Sequence, residues 1–205
     1  MQNSFLPVTS NPPSPQTERG DAARNREKLL NIAGQIIAEQ GIDGLTMDEL
    51  ARRAATGKGT IFRRFGNRAG LLDSLLSHTE EDFQRSLIFG PPPLGPGATA
   101  KERLLAYGVA AIDRFEVTGE LQRAADEVGD RRFNSRVAEF HRMHVSMLLR
   151  AGKVAVDANA LALVLLSALH PSLLEYQRKT AGMDAGRQKA LWEFLVERVV
   201  GDPTA

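Results

Sequence analysis

The sequence predicts an all-α protein in two parts, a three-helix unit followed by a larger helical domain, with about nine helices in total. Three observations carry this expectation. Apolar residues recur at i, i+3, i+4 and i+7 through nearly every segment, no stretch alternates with the period of a strand, and Thr, Asp, Gly and Pro stand where helices of that period must start or stop.

Residues 1–20 hold Pro7, Pro12, Pro13 and Pro15 among polar neighbours and show no period, so a disordered tail is expected there. From Asp21, a suitable N-cap, Leu29, Ile32, Ala33, Ile36 and Ile37 mark one face of a helix ending at Gly41. Thr46 and Glu49 have capping-box spacing and open a short second helix with Met47, Leu50, Ala51 and Ala54 inward. After a break at residues 55–57, a third helix starts near Lys58, carries Ile61, Phe62 and Phe65, and stops at Gly66 and Asn67. Two short helices across a tight turn, with a longer one behind, describe a helix-turn-helix domain over residues 21–66.

Residues 67–205 form the second part. A fourth helix from Asn67 or Arg68 turns Leu71, Leu72, Leu75, Leu76, Phe83 and Leu87 inward and ends at Gly90, and the following GPPPLGPG cannot be helical. Thr99 and Glu102 then cap a helix with Leu104, Leu105, Val109, Ile112 and Phe115 inward, and residues 119–128 form a weaker, separate one. A stripe of Phe133, Val137, Phe140, His144 and Met147 runs to Gly152. Asp157 caps a helix apolar nearly all round through Leu169, and Asp184 caps the last, with Leu191, Trp192, Phe194, Leu195, Val196, Val199 and Val200. Two apolar helices at the end of a chain need cover. Pairing with a second copy as a four-helix bundle supplies it, and places Leu161, Leu165, Leu169, Leu191, Trp192, Leu195 and Val199 at a homodimer interface. The alternative is that both helices are central to the core of one protomer.

With 205 residues, 42% hydrophobic and 25% charged, the chain can bury a substantial core. The absence of cysteine excludes disulfides, thiolate catalysis and Cys-type zinc sites. The start lacks the pattern of a signal peptide, and the apolar run over residues 158–169 is too short to span a bilayer. A soluble cytoplasmic protein with no membrane partner is therefore expected. His141 and His144 are spaced i, i+3, but no acid lies one turn from His144, so no metal and no cofactor are expected. GKGT at residues 57–60 fails as a phosphate loop, because Arg52 and Gly59 stand where the pattern needs Gly and Ser or Thr.

The net charge of +1 conceals a local asymmetry. Residues 46–68 carry Arg52, Arg53, Lys58, Arg63, Arg64 and Arg68, and no acid falls between Leu50 and Leu72. A one-signed surface on a helix-turn-helix suits a phosphate backbone, because each neutralised phosphate releases a counterion. Lys58, Gly59, Thr60, Arg63 and Arg64 near the start of the third helix are placed to meet the major groove, and Thr46 and Arg68 stand at helix N-termini that attract phosphate. The competing reading of each charge is a solvated helix face. A helical binding or interaction module with no DNA role would not need this stretch, and an enzyme would need a nucleophile, metal or cofactor constellation that the sequence does not display.

Three segments, NIAGQIIAEQG at residues 31–41, TMDELARRA at 46–54 and GKGTIFRRFGNRAGLL at 57–72, resemble in order and spacing the tetracycline-repressor (TetR) family of bacterial transcription regulators. The resemblance implies a dimeric repressor that binds a near-palindromic double-stranded DNA operator and responds to a small apolar effector enclosed by helices four to eight. It also implies departures: Ala55, Thr56 and Gly57 stand where the pattern has Gly, Val and Ser, and Phe62 replaces a common Tyr. Gly57 and Phe62 thus lose hydroxyls that could meet phosphate, while the packing of Phe62 is expected to remain. The pocket would draw on Phe83, Tyr107, Phe115, Phe140, His144, Met147 and His170, with Tyr176 nearby. From the residues alone, each polar member is more often a satisfied core group.

Overall fold

Side-chain caps set most of the helix boundaries. The structure, a computed structural model, describes residues 15–126 and 136–200, and nine helices lie among them. They are α1 (Pro15–Gly44), α2 (Met47–Arg53), α3 (Lys58–Phe65), α4 (Arg68–Phe89), α5 (Ala100–Asp126), α6 (Arg136–Ala151), α7 (Ala158–Ala168), α8 (Pro171–Lys179) and α9 (Ala185–Val199). Thr46, Asn67, Asp157 and Asp184 accept backbone N–H bonds at the starts of α2, α4, α7 and α9. The Thr99–Glu102 box is reciprocal: Glu102 N–H donates to Thr99 Oγ1 at 3.2 Å, and Thr99 N–H to Glu102 Oε2 at 2.8 Å. At Thr46 only half of the expected box forms, because the Glu49 carboxylate turns to Arg52 and Arg53.

The helices among the described residues are not those expected. Helix α1 begins at Pro15, inside the stretch read as a tail, and its backbone departs from helix at Gly41 (φ 72°, ψ 176°). The two helices expected across residues 99–128 are one continuous α5 as far as Asp126. Gly119 stays helical there because a Cβ would sit 2.5 Å from the Phe115 ring, so glycine answers a packing need and not a break. Helix α8 was not expected at all. His170 caps it by accepting from Ser172 N–H at 3.3 Å, and Pro171 fills a first-turn position where a missing N–H costs nothing. The remainder of residues 1–14, Phe133 and the end of the 119–128 segment lie outside the described residues.

Two apolar cores result. The first joins Leu30, Ile36, Leu45, Leu50, Ile61, Phe65, Leu71 and Leu75 of α1 to α4, with Leu121 reaching in from α5. The second gathers Phe83, Leu87, Leu104, Tyr107, Ile112, Leu149, Leu165 and Trp192. Helix α4 therefore serves both cores, and a domain boundary at residues 66/67 cuts across the packing of Leu71 and Leu75. Between the two cores its inward stripe turns polar at His78 and Glu80. His78 Nε2 meets Asn31 Oδ1 of α1 at 3.1 Å, which ties the two parts together.

The turn between α2 and α3 stores strain. Ala55 has φ 49°, the left-handed region in which a Cβ costs roughly 1–2 kcal/mol. Ala55→Gly is therefore expected to stabilise the protein by about 1 kcal/mol, read as a higher urea midpoint at unchanged m-value.

The 22 residues Ala158–Lys179 pass a length and composition test for crossing a membrane, unlike the shorter run read from sequence. The helix is interrupted at His170 and Pro171, and Ala162, Leu165 and Leu174 pack into the second core. The expected interface residues split accordingly. Trp192 and Leu165 are buried within the protomer and so are not on a surface a second copy could cover, while Leu161, Leu169, Leu195 and Val199 pack partly against the same core. Of the seven, Leu191 is exposed, and it is joined by Leu163, Val164 (66% exposed), Leu173, Tyr176 and Phe194. The sequence pattern shows which helices are apolar all round, but not which of their faces the protomer itself covers.

Candidate nucleic-acid interface and buried polar cluster

Helices α2 and α3 pack through Met47, Leu50, Ala51, Ile61 and Phe65, which leaves the opposite face of α3 in solvent. That face carries Lys58, Gly59, Phe62 and Arg63, with Thr60 and Arg64 half-buried. The acid-free sequence does not give an acid-free surface, because neighbouring elements supply carboxylates. Arg53, only 22% exposed, pairs with Glu39 of α1 at 2.6 Å and with Glu49 at 3.0 Å. Its hydrogen bonds to both carboxylates raise its pKa further, and those from Arg52 and Arg53 hold Glu49 at about 2. Arg68 donates to the carbonyls of Leu45 at 2.9 Å and Ile42 at 2.6 Å. Arg53 and Arg68 thus brace α1 against α2 and α4 instead of facing outward.

Other cations remain available. Arg52 is exposed and bonded within its own helix to Glu49, and Lys58 pairs in solvent with Asp48 at 2.6 Å. Exposed pairs of this kind are worth roughly 0–1 kcal/mol, so a phosphate can replace either carboxylate. Arg63 is exposed and makes no ion pair among the described residues, whereas Arg64 has a partner of its own. Phe62 does not keep a packing role: it is 41% exposed, with the Lys58 ammonium 5.9 Å above its ring. Gly57 caps α3 with backbone alone. The outer face of α3 is therefore an apolar ring flanked by cations, on a helix held to the core by Ile61 and Phe65.

The residues expected to line a pocket do not all meet. Phe83, Tyr107, Phe140 and His144 gather between α4, α5 and α6, with ring separations of 5.5 Å for Phe83 and Tyr107 and 6.1–6.2 Å from His144 to Tyr107 and Phe140. Met147 is 47% exposed, because the buried face of α6 is centred on His141, Val145 and Leu148 and Met147 lies beyond its edge. His170 is spent on the α8 cap. Phe115 lies under the Arg178 guanidinium and lines a different cleft of about 380 Å³, between the end of α1, α5 and α8.

Sequence reading missed the polar centre of this cluster. The ionised Glu80 accepts from His141 Nε2 at 2.7 Å and Gln84 at 2.8 Å, and pairs with Arg114, which lies over the Phe83 ring. His141 Nδ1 meets the Tyr107 hydroxyl at 2.9 Å. Burial opposes charge on Glu80, but the His141 hydrogen bond and the Arg114 charge outweigh it and hold the carboxyl at about 2. Burial pushes the Tyr107 hydroxyl well above its ordinary value. A signal was present: Glu80 occupies the gap in the α4 stripe between Leu76 and Phe83, and Arg114 lies seven residues beyond Tyr107 on one face of α5.

His144 is buried and neutral at pH 7. Burial first, then Arg103 and His141, lowers its pKa from 6.5 to about 4. A group whose folded pKa is depressed in this way takes up a proton sooner when unfolded. Stability is therefore full above pH 6.5 and is expected to fall by on the order of 2–3 kcal/mol as pH drops to about 4. Urea midpoints at pH 7 and pH 5 should show this loss, and His144→Gln should flatten it.

A helix-turn-helix unit with a cationic outer face is joined through one shared helix, α4, to a larger all-α domain. Residues 29–75 match the sequence model of bacterial regulatory proteins, tetR family. The match begins and ends on the first N-terminal core residues of α1 and the last of α4, Leu29 and Leu75. Over these residues the chain is similar to the tetR family. Over 71 residues it is 28% identical to an HTH-type transcriptional regulator of Staphylococcus aureus (strain USA300), covering 31% of this chain and 38% of that protein. The match thus spans well under half the length of these curated relatives. The fold matches a TetR-family transcriptional regulator from Pectobacterium atrosepticum, with TM-score 0.62, 20% identity, and coverage of 90% of this chain and 98% of that one. It also matches a transcriptional regulator from Saccharomonospora viridis in complex with choline, with TM-score 0.64, 18% identity, and coverage of 85% and 96%.

Proposed function

We propose that this protein is a transcriptional repressor that binds a near-palindromic DNA operator as a homodimer and releases it when a small effector enters the C-terminal domain. The observation that carries the reading is the outer face of α3, where Lys58, Phe62 and Arg63 stand exposed on a helix anchored in the core by Ile61 and Phe65. On DNA, Arg63 and Lys58 reach base edges and phosphates of the major groove, Thr60 and the backbone at Gly57 and Gly59 approach the groove wall, and Phe62 offers its ring to a thymine methyl. Arg52, Thr46 and Arg64 flank the backbone.

Two such helices must stand about 34–36 Å apart to enter successive major grooves. The exposed apolar residues Leu163, Val164, Leu173, Tyr176, Leu191 and Phe194 of α7 to α9 supply the face on which two copies meet. Effector binding next to Phe83 acts on the helix whose other end carries Leu71 and Leu75 of the DNA-binding core. Swinging the population from 1:99 to 99:1 takes roughly 5.5 kcal/mol of preference between the two spacings. That neighbouring fold bound to choline supports a ligand-binding role for the same architecture.

The test is a gel shift with DNA from upstream of the protein's own gene against a random duplex. Specific, salt-sensitive retardation is expected. Arg63→Ala should lose about 1–3 kcal/mol of operator affinity at unchanged melting temperature. Equal binding of both duplexes by wild type and variant would sink the assignment.

A further inference from the structure

The polar cluster between α4, α5 and α6 is unbalanced. Arg103, Tyr107 and Arg114 follow one another at i, i+4 and i+11, within about 40° around α5. Glu80 is the carboxylate that the hydrogen bonds of this cluster reach, and it is already taken by His141, Gln84 and Arg114. Arg103 donates to the Leu87 carbonyl at 3.0 Å and has no carboxylate partner among the described residues. Its Nε, the Nε of Arg114 and Nε2 of His144 are all buried without a hydrogen-bond partner. Guanidinium nitrogens can only donate, and a neutral imidazole can donate from Nε2. The seam therefore carries one uncompensated cation and a set of unmet donors, walled by the rings of Phe83, Tyr107 and Phe140.

We infer that the effector carries a carboxylate on an aromatic or aliphatic body, and that Arg103 and His144 receive the carboxylate. This rests on the reading that the C-terminal domain binds an effector, and it departs from the wholly apolar effector expected from sequence. An uncharged apolar molecule would leave every one of these donors unmet. A cation would meet two guanidiniums in a low-dielectric setting, where like charges repel strongly.

Thermal shift with matched probes tests it. Octanoate and 4-phenylbutyrate are set against octanamide, 4-phenylbutyramide and octyltrimethylammonium, on wild type, Arg103→Lys and Arg103→Met. Both carboxylates should raise the wild-type melting temperature by several degrees, and the amides and the ammonium should not. Arg103→Lys should keep part of the carboxylate effect and Arg103→Met should abolish it. Without any probe, Arg103→Met should melt within a few degrees of wild type, because loss of the bond to the Leu87 carbonyl is offset by removal of the unmatched buried Nε. The inference is overturned if an amide or the ammonium equals its carboxylate, if neither carboxylate acts, or if Arg103→Met melts several degrees lower unliganded, which would make Arg103 a structural cap on α4. Operator gel shifts on the same wild-type preparation separate the two readings. A retained shift with failed carboxylates removes the effector class alone, and a missing shift removes the regulator reading itself.

Discussion

Gly108→Ala is expected to cost about 3 kcal/mol, the upper end for an overpacked core and a large share of the 5–15 kcal/mol that a domain of this kind commonly has. A Cβ on Gly108 would lie 2.1 Å from Trp192 Cε2 and Nε1 and 2.3 Å from Cδ2, so the methyl and the indole cannot coexist. The ring cannot simply retreat. Trp192 is 2% exposed, and its Nε1–H donates to the Leu104 carbonyl at 2.9 Å. Either α5 moves away from α9, opening the second core, or the indole leaves and forfeits both its burial and its hydrogen bond. Urea unfolding at pH 7 should show the loss in midpoint. Gly59→Ala, where nothing stands within 4 Å of the new Cβ, serves as the control and should be neutral or mildly stabilising. Combining Gly108→Ala with Trp192→Leu should cost less than the sum of the two single changes, because they remove one shared contact.

The second large effect is expected at Glu80. Glu80→Ala leaves the Arg114 guanidinium and His141 Nε2 without their acceptor, and breaking a buried pair from one side costs roughly 3–5 kcal/mol. Because the Arg114 side chain is still 21% exposed, the lower end of that range applies. Glu80→Leu with Arg114→Met should recover most of the loss, since an apolar pair of similar volume often replaces an ion pair at little cost. The pH dependence separates Glu80 from His144. With its folded pKa held at about 2, Glu80 contributes stability that is full above pH 4.5 and disappears as pH falls toward 2. The wild type should therefore lose stability in two successive acid steps, and Glu80→Ala should lack the lower one.

Both of these centres were poorly legible in the sequence, for the same physical reason. Periodicity reports which side of a helix is apolar, and it was sufficient for α2, α3 and α4, whose caps and stripes are local. It cannot report what a long-range neighbour supplies. Glu39 and Asp48, from outside the acid-free stretch, neutralise Arg53 and Lys58. Gly108 reads as a weak point in α5 until Trp192, eighty-four residues away, is seen to need its space. Gly119 misled in the opposite direction, suggesting a helix end where only a ring had to be accommodated. Met147 belongs to a stripe offset from the buried face of α6, and Trp192 to a helix apolar on more sides than one partner covers. His141, weighed in the sequence only as a metal ligand, is a relay between Glu80 and Tyr107. The turn residue Ala55 was signalled only by the resemblance, whose pattern has Gly at that position, and its φ is 49°.

The central claim is that the exposed face of α3 grips DNA while the braced arginines behind it do not. Fluorescence anisotropy of the upstream duplex across a salt series measures this directly. With Arg52, Lys58 and Arg63 from each of two protomers on phosphates, log Kobs against log salt should fall with a slope of about −5. Arg63→Ala should make that slope shallower by about 2 for the dimer, and Arg53→Ala should leave it unchanged while lowering the melting temperature. A slope near zero, or one that Arg53→Ala alters and Arg63→Ala does not, would contradict the account.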